Sequence, residues 1–89
     1  MSTIEQMQQK LAILSPSAIK IIDDSAKHAG HAGAKSGGGH YQLDIISTEF
    51  TGKPTLARHR MIYDALGEMM QQQIHALSIK AQTPEESNA

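Results

Sequence analysis

A chain of 89 residues whose only aromatic side chains are Tyr41, Phe50 and Tyr63 has room for one domain, with a thin core that Leu, Ile, Met and Ala must fill. Eight Lys and Arg against nine Asp and Glu give a formal net charge of −1, which excludes a global attraction to nucleic acid or an anionic membrane and leaves only a local basic patch for such binding. The absence of cysteine excludes disulfides and any iron–sulfur cluster held by the chain's own thiolates.

At the start, Met1 to Gln6 carries neither a basic region nor an apolar run, so no secretory signal is expected. No apolar stretch approaches the roughly 20 residues needed to span a bilayer, and a cytoplasmic protein without membrane contact is the expectation. Ser2-Thr3-Ile4-Glu5 has the form of a capping box, and Ile4, Met7, Leu11 and Leu14 then recur at helical spacing until Pro16 stops the run. The β-branched segment Ala18 to Asp23 predicts a strand. Asp24 to Gly39, rich in Gly, Ala, Ser and His, predicts a loop. Tyr41, Leu43 and Ile45 alternate with Gln42 and Asp44, which predicts a second strand with one buried and one wet face. These two strands are expected to pair as an antiparallel hairpin.

Phe50 to Thr55 reads as a turn into a long helix, with Thr55 as its cap or Pro54 as its first residue. Leu56, His59, Tyr63, Leu66 and Met70 share one face of that helix, with Ile62 and Met69 alongside, and Gly67 weakens it by about 1 kcal/mol relative to Ala. Ile74 to Ala81 predicts a third strand with His75, Leu77 and Ile79 on one face. Thr83-Pro84-Glu85-Glu86 looks like a last helix start of at most one turn, so residues 1–82 are expected to form the domain and 83–89 a frayed tail. The long helix can serve as a crossover that makes the second and third strands parallel. The expected fold class is α+β: a three-stranded mixed sheet with helices packed on one face, in the order α-β-β-α-β.

Five histidines carry most of the chemical interest. His75 reads either as a partly buried strand residue or as a metal ligand at the rim of the sheet. His28, His31 and His40 lie in or beside the glycine-rich segment. Two loop imidazoles make a poor permanent site, because structural zinc takes four ligands. Supplying one or two ligands to a metal held by another protein is the better reading. Lys53, Arg58 and Arg60 form a basic cluster near a helix start, where cations oppose the helix dipole. They suit contact with phosphate or a partner's carboxylates, or else a solvated face paired with Glu49 or Asp64. There is no cysteine nucleophile, no Gly-x-Ser-x-Gly elbow, and Gly37-Gly38-Gly39 lacks the lysine and hydroxyl of a phosphate-binding loop, so an enzyme is not expected.

Several segments, in this order and spacing, resemble the BolA family over nearly the whole chain. They are Asp23 to His28, His40-Tyr41-Gln42-Leu43, Phe50-Thr51-Gly52-Lys53, Arg58-His59-Arg60-Met61-Ile62-Tyr63, Ile74-His75-Ala76-Leu77 and Thr83-Pro84-Glu85. The resemblance implies a fold like the type II KH domain. It also implies a monothiol glutaredoxin as heterodimer partner of a monomeric apo protein, with a [2Fe–2S] cluster shared between the two proteins and glutathione and no cofactor when the chain is alone. The family's ligand positions fall on His28 and His75, with His31 as an alternative in this long loop. Family members are also described as transcriptional regulators, which would place DNA against Lys53, Arg58 and Arg60. The chain lacks a Gly-x-x-Gly loop between Phe50 and Thr55, which argues against KH-style clamping of RNA.

Overall fold

The computed structural model describes residues 2–24 and 39–88. The elements are α1 (Thr3–Leu11), β1 (Ala18–Asp23), β2 (Gly39–Ile46), α2 (Thr55–Leu66), β3 (Ile74–Gln82) and α3 (Pro84–Ser87). Short 3₁₀ turns over Ala12–Leu14, Thr48–Phe50 and Gly67–Gln71 join them. The sheet order is β1-β2-β3, with β1 antiparallel and β3 parallel to the central strand. The class is therefore α+β with a mixed three-stranded sheet, as the residue pattern predicts.

Alternation along β2 sets the two faces. Tyr41, Leu43 and Ile45 are buried while Asp44 is exposed. Cross-strand register brings Ile19 and Ile21 of β1, and Leu77, Ile79 and Ala81 of β3, onto the core side. Met7, Leu11 and Leu14 from the N-terminal helix and its turn, with Ile62, Leu66 and Met69 from α2 and the turn after it, close that side into one cluster around Phe50. The N-terminal capping box forms as read: Ser2 Oγ accepts the Glu5 N–H, and the Glu5 carboxylate accepts the Ser2 N–H, which holds that carboxyl below its ordinary value.

Four expectations change. Pro54, in extended conformation, stands at the cap position of α2 without a side-chain hydrogen bond, and Thr55 is the first helical residue. Gly67 does not interrupt the helix but ends it, with a φ of 58° that side chains rarely adopt. The inward face of α2 is carried by Ile62 and Leu66, whereas Leu56 and Tyr63 are 63% and 40% exposed. The apolar periodicity of the segment cannot separate these two stripes, because both recur at helical spacing. Finally, Thr83 to Ser87 is not frayed. Thr83 is buried, its hydroxyl accepts the Glu86 N–H, and the Glu86 carboxylate accepts the Thr83 N–H, so a second capping box locks the turn.

Candidate functional site

The start of β3 lies beside the start of β2, and the ladder is irregular there. Gly39 stands opposite Ile74 and His40 opposite Ala76, so His75 is an extra residue with no partner in the register. A bulge of this kind breaks the strand's period of two and re-aims a side chain. The parity expected for His75, on the face of Leu77 and Ile79, is therefore lost: Ile74 takes the buried position at 2% exposure and His75 is exposed. The His75 ring lies 5.1 Å, centroid to centroid, from that of His40, with 45° between the ring planes.

Gly39, expected as the end of the loop, is the first residue of β2, and the reason it is glycine is space. A Cβ there would sit 2.5 Å from the edge of the Tyr41 ring. The Gly39 N–H donates to the Gln73 carbonyl at 2.9 Å, which draws the beginnings of the two strands together. On the sheet face away from the helices, an open depression of about 280 Å³ runs beside His40 and is lined by Asp24, Gln42, Ala76 and Ser78 among others. The Gln42 amide donates to the Asp24 carboxylate, and the Asp24 N–H donates to the His40 carbonyl at 2.7 Å. His40 is thus tied through its carbonyl to Asp24.

His28 and His31 lie outside the described residues. Among the described residues the rim brings together two imidazoles, His40 and His75, and assembles no group of three or more His, Asp or Glu side chains suited to a metal ion. Neutral imidazole is an iron ligand. Of the two rings, His75 is exposed, whereas the Nε2 of His40 is buried, and two imidazoles alone are fewer donors than a closed metal site takes. His40, which lies beside the glycine-rich segment and opens the segment His40-Tyr41-Gln42-Leu43, has no ligand role in the motif reading. Its parity with Gln42 and Asp44 on the wet face of β2 was the available signal.

The basic cluster divides. Arg58 donates from Nη1 and Nη2 to the two Glu86 carboxylate oxygens at 2.6 and 3.0 Å, from Nη1 to the Ala81 carbonyl at 3.0 Å, and from Nε to the Lys53 carbonyl at 2.8 Å. Its guanidinium carbon also stands 6.0 Å from the centre of the Phe50 ring. This forked hydrogen bonding holds Arg58 above its ordinary pKa and the Glu86 carboxyl down at about 2, and the Arg58 side chain is only 12% exposed. The partner is Glu86, not Glu49 or Asp64. Lys53 and Arg60 are exposed, and the ring of His59, the residue before Arg60, meets Tyr63 edge-on at 6.4 Å.

Fold and rim together define a small α+β module that presents imidazole at one end of a mixed sheet. The family model described as BolA-like protein matches residues 11–86, and the chain belongs to the BolA family. The solved structure of BolA1 from Arabidopsis thaliana superposes with a TM-score of 0.82 at 38% identity, covering 97% of this chain and 96% of that one. The DNA-binding transcriptional regulator BolA of Escherichia coli is 36% identical over 83 residues, which is 92% of this chain and 76% of that protein. A SufE-like protein 1, chloroplastic/mitochondrial, of Arabidopsis thaliana is 42% identical over 78 residues, 82% of this chain but 21% of that protein, so the chain spans about a fifth of that relative. Among the described residues, no helix is long and apolar enough to cross a membrane.

Proposed function

We propose that this chain is a non-catalytic adaptor of iron–sulfur cluster traffic in the cytoplasm. It binds a monothiol glutaredoxin one-to-one and completes a [2Fe–2S] cluster carried by that partner and glutathione, through imidazole nitrogen. Alone it is a monomer without a cofactor. The observation that carries this reading is the exposed His75 ring, displaced from the ladder by the bulge and standing 5.1 Å from His40 at the open rim. A half-complete donor set whose exposed member is His75, with the His40 Nε2 buried behind it, suits a cluster that is shared rather than stored. His75 is the first ligand. His28 is the second by its position in the family pattern, and the proximity of His40 makes it the alternative to test beside His31. Neutral imidazole in place of a thiolate removes negative charge from such a cluster and raises its potential.

The test is to mix cluster-loaded monothiol glutaredoxin and glutathione with the wild-type chain and with His28→Ala, His31→Ala, His40→Ala and His75→Ala. The wild type alters the visible absorption spectrum, and His75→Ala abolishes the change. Because His75 is exposed, that variant should keep its stability to within about 0.5 kcal/mol, so lost response would not be lost folding. An undiminished response from His75→Ala would refute the ligand role.

A second reading, regulation through DNA, has two observations behind it: the name of the Escherichia coli relative and the exposed Lys53 and Arg60 around the start of α2. Arg58, bound within the chain, would act there only by positioning its neighbours. This reading expects affinity for duplex DNA that falls with salt, and a salt slope reduced by about one for each of Lys53→Ala and Arg60→Ala. A flat titration at low salt would remove it.

A further inference from the structure

The rim histidines stand at one end of an unpaired strand edge. The Ser47 N–H donates to the Gln82 carbonyl at 3.0 Å across the β2–β3 ladder. Backbone groups alternate along a strand, so the even-numbered residues of β3 turn toward β2 and Leu77, Ile79 and Ala81 turn outward. The Arg58 bond to the Ala81 carbonyl, which comes from outside the sheet, agrees with this alternation. Among the described residues nothing pairs with the outward groups of Leu77 or Ile79, and β3 is a sheet edge. The open run begins at the His75 bulge and is closed at Ala81 by the Arg58–Glu86 fork.

Resting on the adaptor reading above, we propose that this edge is where the cluster-bearing partner docks. An extended, proline-free backbone segment of the partner adds as a fourth strand and hydrogen-bonds Leu77 and Ile79 while His75 reaches the metal. Three features select this occupant over a second copy of the chain. The open run offers only a few hydrogen bonds, each worth about 1 kcal/mol net, too little by itself to hold two copies together. Such a short run becomes effective when a second bond anchors it, because the anchored strand then pairs as if intramolecular. The bulge places an unpaired, exposed imidazole where the run starts, which is where that anchor is needed. The charge along this edge also specifies the segment. Across the open face Asp44 is opposite both Lys20 and Lys80, one positive charge in excess, so the partner strand should carry Asp or Glu opposite Lys80. The fork at Ala81 limits the docked segment's length.

The chain is short enough for total synthesis, which permits single amide-to-ester replacements that delete one N–H and leave every side chain intact. Esters at Leu77, Ile79 and, as a control beyond the open run, Ala81 are mixed with [2Fe–2S]-loaded monothiol glutaredoxin and glutathione. Amide hydrogen exchange is followed residue by residue in parallel. The expected results are about tenfold or slower exchange at Leu77 and Ile79 in the complex, and affinity weakened about two- to tenfold by the Leu77 or Ile79 ester but not by the Ala81 ester. A spectral change that depends on His75, with exchange at Leu77 and Ile79 unaffected, overturns the strand dock and leaves the adaptor reading standing. Protection at these amides that rises with the concentration of the chain alone assigns the edge to a second copy and overturns the proposal. No association by spectrum or exchange overturns both.

Discussion

Single side chains decide how tightly the layers are joined. Ser47 is fully buried at the end of β2; its hydroxyl donates to the Leu14 carbonyl and accepts the Glu49 N–H at 3.0 Å. It therefore caps the Thr48–Phe50 turn and satisfies an orphan carbonyl at the end of the first helical segment. Ser47→Ala leaves both groups without that partner, and a loss of about 1–3 kcal/mol in urea unfolding is expected. Gly39 acts through space rather than through φ. Gly39→Ala would push the Tyr41 ring, itself only 8% exposed, out of its place in the core. We expect destabilisation of about 1–3 kcal/mol. The His40–His75 pair should shift as well, seen as altered ¹H–¹⁵N imidazole resonances, because the same residue anchors the strand that carries His40.

Elements owe their limits to local chemistry and their orientation to what they pack against. α2 ends where Gly67 supplies a positive φ, and the 3₁₀ turn that follows brings Met69 back into the core. The helix is held at its start by Arg58, which ties α2 to the last residues of β3 and to α3 through Glu86. That tie has a pH signature. The Glu86 carboxyl titrates at about 2 in the folded protein, below its ordinary 4.5. A depressed carboxylate pKa contributes stability that is complete above the unfolded value and drains as pH falls. The contribution should therefore be present above pH 4.5 and vanish toward pH 2. Comparing urea midpoints of the wild type and Glu86→Gln at pH 6 and at pH 2 tests this: the wild type should be the more stable at pH 6, and the difference should disappear at pH 2. An equal gap at both values would contradict the assignment. Both partners face solvent in part, so the effect is expected to be small and to shrink further in high salt.

At the scale of the whole molecule, the domain runs on past Gln82. A chain truncated there loses the buried Thr83, the second capping box and Glu86, and should melt at a lower temperature than the full chain. Unchanged melting would mean that the last turn is a passenger. Much of this architecture was legible in the residues. The capping box at Ser2, the alternation of Tyr41, Leu43 and Ile45, and a crossover helix between two apolar strands each follow from local periodicity and reach, and together they determine a mixed sheet with helices on one face. The same residues placed histidines near the sheet's end, and their motif order carried the family resemblance. Which stripe of α2 turns inward could not be read, because Leu56 and Tyr63 repeat at the same helical spacing as Ile62 and Leu66, and only packing against the sheet chooses between them. Nor could the bulge at His75. A slip of one residue in register exchanges the two faces of a strand, and register is settled by contacts between segments more than thirty residues apart. The sequence alone thus determined which elements form and which donor atoms the chain owns. Tertiary pairing alone decided that an exposed His75 stands beside His40 while Arg58 is bound within the chain, because adjacency of distant residues is a property of the assembled sheet.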